Sequence, residues 1–409
     1  MGCCPSQTSE QLEYHSGAVT EVTISLVEWK VGHWHHGDFE ADLEEVLGLI
    51  SKHLFPGKSD ARGARPADIL ALHVSELPIK TGVRSGEGEE DVGYHELINM
   101  VVQRGNYDGE HMAMFDPLSE LKDQKKFGTL LLLFKHKEAA LTLADISHHV
   151  VASIEGETKQ LLAMEFRVVT MDNRKSDAIV LLGGNLHAHE QDEHGIAGQL
   201  GRLRQLVTKS FIHPFETFSH SQYSNRSLKQ FLEDKAQSSV AAFLLWGDLN
   251  MRLAWKPLWD SMPSDIGPRS EETEGMMTDA EAAWISEQLM TNGGRHALLS
   301  HDTLTGGGRL LPSAEALQQL GFIFPKPVNP DGVIPMPTYK RKPYGMVDAA
   351  YLTEKEHVFD TFFNFEEKRK TQKTLVRTGR DPWPLLQMGW PDRVGWKLPC
   401  PDVEASLSC

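Results

Sequence analysis

An acid and an amide stand two residues apart in Trp246-Gly247-Asp248-Leu249-Asn250-Met251-Arg252, directly after the apolar run Val240-Ala241-Ala242-Phe243-Leu244-Leu245. The run is short and unbroken, as in a buried strand. Side chains alternate along extended backbone, so Asp248 and Asn250 leave the strand end on the same side. A carboxylate can orient or deprotonate a water, and an amide can hold a phosphoryl oxygen. Together they suit hydrolysis of a phosphate ester. Gly-Asp-x-Asn is also turn chemistry, so the other motifs have to decide.

Several stretches add chemistry-bearing residues. Asp68-Ile69-Leu70-Ala71-Leu72-His73-Val74 reads as a second buried strand and leads to Ser75-Glu76. An acid just past a buried strand is a good position for a functional side chain. Leu181-Leu182-Gly183-Gly184-Asn185-Leu186-His187-Ala188-His189 brings an amide and two imidazoles to the end of a third strand. His187 and His189 have metal-ligand spacing, but no Cys or third clear ligand accompanies them. Pro337-Thr338-Tyr339-Lys340 opens a basic cluster with Arg341 and Lys342. The clusters Lys122/Lys125/Lys126 and Lys368/Arg369/Lys370 read as solvated surface. Thr305-Gly306-Gly307-Gly308-Arg309 lacks the Gly-Lys-Ser/Thr ending of a phosphate-cradling loop.

Three of these stretches resemble, in order, motifs of the inositol polyphosphate 5-phosphatases. These belong to the endonuclease/exonuclease/phosphatase superfamily, which includes deoxyribonuclease I. The residues around Asp248 resemble the Trp-x-Gly-Asp-x-Asn-x-Arg signature. Pro337-Thr338-Tyr339-Lys340 resembles the Pro-Thr-Tyr-Lys element. Met388-Gly389-Trp390-Pro391-Asp392-Arg393-Val394-Gly395-Trp396 is similar to Pro-x-Trp-Cys-Asp-Arg-(Ile/Val)-Leu-Trp. The Trp, Asp, Arg, Val and second Trp are kept; the leading Pro, the Cys and the Leu are not.

The resemblance implies an α/β fold, the four-layer α/β/β/α sandwich of deoxyribonuclease I, over residues 21–400 as one phosphatase-like domain. It implies Mg²⁺ held through Glu76, with Ser75 where the family has Gln. Asp248 would position or deprotonate the attacking water, and Asn250 would hold the phosphate. Asn185 takes the position of a catalytic His; a two-residue shift would place His187 there. Tyr339 and Lys340 match residues that contact the neighbouring phosphate. Lys159 matches the Lys of a Gly-Asn-Lys-Gly loop, and Arg393 completes the substrate-binding set. The implied substrate is a phosphoinositide or an inositol polyphosphate.

Three departures favour an alternative, a membrane-anchored pseudophosphatase that binds phosphoinositides. Lys30 stands where the family has an Asn that supports the metal. Asn185 replaces an imidazole. The family's terminal Ser-Asp-His strand has no counterpart, and no Asp-His dipeptide occurs in the sequence.

Composition sets limits on partners. The 409 residues carry a net charge of −16, a poor basis for nonspecific nucleic-acid binding, which rests on many Lys/Arg–phosphate contacts. No apolar run is long enough to span a bilayer. The four cysteines, Cys3, Cys4, Cys400 and Cys409, sit only at the extreme ends and fit a reducing compartment. Met1-Gly2-Cys3-Cys4-Pro5-Ser6 fits the pattern for myristoylation of Gly2, with Cys3 and Cys4 placed for palmitoylation. Two acyl chains give the stable anchoring that one does not. The expected location is therefore the cytoplasmic face of a membrane, reached through a flexible tail over residues 1–20; residues 401–409 read as a second tail.

Strands are expected over Glu21–Val31, Asp68–Val74, 129–135, 161–169, 178–184 and the run into Gly247. Late strands are expected over Asp348–Leu352 and Val358–Phe365. Helical periodicity covers Phe39–Leu54, Tyr94–Arg104, Gly195–Ser210, Thr278–Met290 and Ser313–Leu320.

Overall fold

The computed structural model describes residues 22–30, 66–78, 98–99, 101–115, 127–153, 160–185, 228–236, 238–249, 253, 258, 260–266, 278–306, 312–328, 331–337, 354–362, 389–390 and 392–399. Contacts divide the chain into two compact units. One comprises residues 5–185, 210–247 and 396–409; the other comprises 1–4, 186–209 and 248–395.

The first unit carries the sheets. Strands β1 (Ile24–Lys30), β2 (Ile69–Pro78), β3 (Tyr107–Phe115) and β4 (Phe127–His136) form a mixed sheet of order β1-β2-β4-β3. The β1–β2 pair is parallel and the other pairs are antiparallel. Strands β5 (Leu141–Ser153), β6 (Gln160–Thr170), β7 (Ala178–Asn185) and β8 (Val240–Asp248) form the second sheet, in that order; a further strand, β9 (Asp392–Lys397), lies mostly among the residues of the other unit. Against each other, β2 meets β7 and β4 meets β6. Consecutive residues are buried along Leu130–Phe134 and all along β7 and β8. Both faces of these central strands are therefore covered, which is why they read as continuous apolar runs rather than alternating ones. Helix α1 (Leu228–Lys235) lies beside β5 and buries Leu228, Phe231 and Leu232, a spacing that makes one helical face.

Local pairs fix where the strands begin. Asp68 and Thr23 clasp each other just ahead of β2 and β1. Asp68 Oδ2 accepts from Thr23 N (3.1 Å) and Oγ1 (2.9 Å), and Asp68 N donates to Thr23 Oγ1 (2.9 Å). This sets the parallel register Ile24 opposite Ile69.

The second unit holds helices α2 (Asp279–Met290), α3 (Asn292–Leu299), α4 (Pro312–Gln319) and α5 (Lys355–Phe362). Thr278 and Glu281 make a reciprocal capping box at the start of α2, a device worth ~1 kcal/mol. Helices α3 and α5 pack on α2 around a core that includes Ile285, Leu289, Leu298, Val358, Phe362 and Trp390.

The α/β class expected from the sequence, two packed sheets with helices, is the one found. The expected strand at Val358–Phe365 is corrected: its described part belongs to α5. Val358 and Phe362 are both buried and four residues apart, which is helical rather than strand spacing. The described part of the Tyr94–Arg104 segment is helical. The helices expected at Phe39–Leu54 and Gly195–Ser210 and the strand at Asp348–Leu352 lie outside the described residues.

Candidate active site

The end of β8 is built by three residues with different tasks. Trp246 is fully buried, and its indole Nε1 donates to the Val27 carbonyl of β1 at 3.2 Å. That bond ties the end of one sheet to the other. Gly247 follows with φ +127°, a backbone state that disfavours any side chain. A β-carbon there would lie 2.2 Å from the Gly184 carbonyl oxygen of β7. Asp248 closes the strand and is 1 % exposed. The sequence Trp-Gly-Asp is thus an anchor, a close approach and a carboxylate at a strand end. Asn185 closes β7, fully buried, opposite Gln160 of β6.

Glu76 lies within β2, where the β2–β4 register shifts between Val74 and Leu77. Register breaks of this kind re-aim backbone and are common beside functional sites. Its side chain lies outside the described residues, as do Asn250, His187, Tyr339, Lys340, Lys159, Gly2, Cys3 and Cys4. Pro337, which opens the Pro-Thr-Tyr-Lys element, is buried.

Arg393 is placed firmly. It is 4 % exposed, with Nη2 2.7 Å from Asp302 Oδ1, while its Nε donates to the Trp390 carbonyl. The guanidinium and carboxylate are close, yet Nη1, Nη2 and Oδ1 make no directed hydrogen bond among the described residues. The contact is therefore electrostatic rather than a fork-to-fork pair. Asp302 Oδ2 accepts from Thr305 N (2.8 Å) and Oγ1 (2.7 Å). Trp390 donates to the Pro335 carbonyl at 3.1 Å. Gly395 lies against Phe324: a β-carbon there would lie 2.4 Å from the Phe324 ring.

A polar group that sequence reasoning missed lies between the sheets. Glu28 and His73 are register partners across β1 and β2, and the carboxylate Oε2 pairs with His73 Nδ1. The Ser75 hydroxyl donates to Glu28 Oε1 at 3.0 Å. All three are buried. The available signal was a Glu, a His and a Ser inside otherwise apolar strand runs, where a polar residue needs a partner.

The metal donor named from the sequence is one carboxylate, Glu76, with Asp248 assigned to the water and Asn250 to the phosphate. A carboxylate donor fits a hard cation such as Mg²⁺. Among the described residues, no three His, Cys, Asp or Glu side chains cluster as a metal site.

No family model matches the chain, and no curated protein does. Solved structures give distant likenesses. The chain is similar to Cimex nitrophorin in its ferrous NO complex, with 14% identity, a TM-score of 0.40, and coverage of 95% of this chain and 88% of that one. It is similar to an endonuclease/exonuclease/phosphatase family protein from Bacteroides thetaiotaomicron, with 9% identity, a TM-score of 0.27, and coverage of 56% and 62%. It is also similar to the inositol polyphosphate 5-phosphatase domain of SPsynaptojanin in complex with inositol (1,4)-bisphosphate and calcium, with 13% identity, a TM-score of 0.40, and coverage of 95% and 78%.

Proposed function

We propose that the chain is a Mg²⁺-dependent phosphoric monoester hydrolase that removes the 5-phosphate of phosphoinositides or inositol polyphosphates. The observation that carries this is the local build of the Trp246-Gly247-Asp248 motif. The Trp is locked to Val27, the Gly occupies a backbone state closed to side chains, and the carboxylate ends a fully buried strand. A turn motif placed by chance has no need of that construction.

In this account Asp248 orients the attacking water and takes its proton. The water oxygen bonds to phosphorus, the bond to the inositol oxygen breaks, and that oxygen leaves as the alcohol on taking a proton from solvent, to which Asp248 releases its own. Asn250 and Asn185 donate hydrogen bonds to phosphoryl oxygens, with His187 as the alternative to Asn185 in that role. Tyr339 and Lys340 read the adjacent phosphate, and Lys159 and Arg393 add positive charge. Glu76 would hold Mg²⁺, which supplies neutralisation of the phosphate charge when bound. Acylation at Gly2, Cys3 and Cys4 would bring the protein to the cytoplasmic face of a membrane, where a phosphoinositide resides. Release of phosphate from phosphatidylinositol 4,5-bisphosphate, lost in Asp248→Asn, tests this.

A second reading is a phosphoinositide-binding pseudophosphatase. Asn185 favours it: a buried amide ends β7 where the resembling family has an imidazole. An amide can donate to a phosphoryl oxygen but cannot carry an imidazolium charge. Lipid binding without turnover would decide for this reading.

A further inference from the structure

Glu28, His73 and Ser75 form a polar bolt in an otherwise apolar space between the two sheets. His73 is fully buried, and its Nε2 has no hydrogen-bond partner among the described residues. Its ring stands edge-on to Trp246 of β8, with centroids 6.2 Å apart and planes at 75°. On the other side it fills the space above Gly183 of β7, where a β-carbon would lie 2.7 Å from His73 Cδ2. The bolt therefore touches four strands: β1 through Glu28, β2 through His73 and Ser75, β7 through Gly183 and β8 through Trp246.

A buried pair of this kind is a costly way to gain stability, because well-packed apolar residues of similar volume usually do as well or better. Its value lies in fixing geometry. Ser75 is held by Glu28 at the point where β2 departs from its pairing with β4, one residue before Glu76. Trp246 is held between the Val27 carbonyl and the His73 ring, two residues before Asp248. An apolar cluster would bury the same surface but would not direct the Ser75 hydroxyl.

We propose that Glu28 and His73 are positioning residues of the phosphatase site, setting the backbone from which Glu76 and Asp248 are presented. This rests on the proposed function above, since it assigns the bolt to a metal-dependent site. It adds that the end of β2 is held by a hydroxyl–carboxylate–imidazole chain, so metal affinity depends on residues that never touch the metal.

The test is Mn²⁺ binding to the full chain, followed by electron paramagnetic resonance, with Mg²⁺ as competitor and thermal melting alongside. The variant Glu28→Leu/His73→Leu removes both ionisable partners together, so no buried charge is left uncompensated and only the Ser75 hydroxyl loses its acceptor. It should melt cooperatively within a few degrees of the wild type and bind Mn²⁺ at least tenfold more weakly. Glu76→Gln sets the scale of complete loss. Equal Mn²⁺ affinity in the wild type and the folded double variant would overturn this inference alone. Absence of Mg²⁺-displaceable Mn²⁺ binding in the wild type would overturn the metal site itself, and the inference with it. Should the double variant not fold, Ser75→Ala takes its place: it removes one hydroxyl, and an affinity within twofold of the wild type would contradict the proposal, whereas a threefold or greater loss is expected.

Discussion

Gly247 presents its α-carbon to the Gly184 carbonyl so closely that a β-carbon would sit 2.2 Å from that oxygen. The φ of +127° adds a backbone penalty to the clash. Backbone strain and overpacking each cost about 1–3 kcal/mol. Gly247→Ala should therefore lose roughly 3 kcal/mol or more of stability in urea unfolding. A midpoint unchanged from the wild type would show that β7 and β8 do not approach as described.

Arg393 and Asp302 are both buried and face each other at 2.7 Å. Removing one partner of such a pair typically costs about 3–5 kcal/mol, because the other charge is left uncompensated. Arg393→Leu should be destabilised by that order, and Arg393→Leu/Asp302→Leu should recover part of the loss. If Arg393 serves substrate alone, the single variant would instead keep its urea midpoint and lose affinity for the phosphorylated substrate.

The sheets were legible because their central strands are covered on both faces. Residues 130–134, 178–184 and the run into Gly247 are continuous apolar stretches, 161–169 is apolar but for Glu165 and Arg167, and all are strands. Strand β5, Leu141–Ser153, was missed because it mixes exposed and partly buried residues with a positive-φ residue at Asp145. Strand β3 was hidden by Asp108, Gly109 and Glu110 near its start. Helix α5 was mistaken for a strand because Val358, Phe359, Phe362 and Phe363 carry β propensity, which tertiary packing on α2 overrides. Of the candidate site, Trp246-Gly247-Asp248 could be read as a unit because its three residues are adjacent in the chain. The Glu28–His73–Ser75 group could not, since its members are 45 and 47 residues apart and meet only through the β1–β2 register.

His301 offers a pH dependence. Burial holds its imidazole below the ordinary histidine range. The folded state therefore binds a proton less readily than the unfolded chain. Its contribution is fully present above the unfolded pKa of ~6.5 and is lost as pH falls toward the lower folded value. The wild type should lose more stability between pH 7.5 and pH 5.5 than His301→Gln does, with urea midpoints as the measure. Parallel losses in both proteins would assign the acid sensitivity elsewhere.

The proposed acyl anchor has a direct test in cells. Gly2→Ala removes the N-terminal glycine that myristoylation requires, and the tandem Cys3→Ser/Cys4→Ser removes the palmitoylation sites. Each should shift the protein from the membrane toward the soluble fraction on ultracentrifugation: the tandem variant keeps a single myristoyl chain, which holds only marginally, and Gly2→Ala loses that chain. Retention of both variants on membranes would exclude anchoring by these residues.

The central claim is a hydrolase whose base is Asp248. The most direct measurement is phosphate release from phosphatidylinositol 4,5-bisphosphate by the purified full chain with Mg²⁺, compared with Asp248→Asn. The substitution keeps the shape of a nearly fully buried side chain, so the fold should survive. Turnover in the wild type that falls ~10²–10⁴-fold in the variant is the expected result. Equal turnover in the two proteins would contradict the role given to Asp248, and lipid binding without any phosphate release would establish the pseudophosphatase in its place.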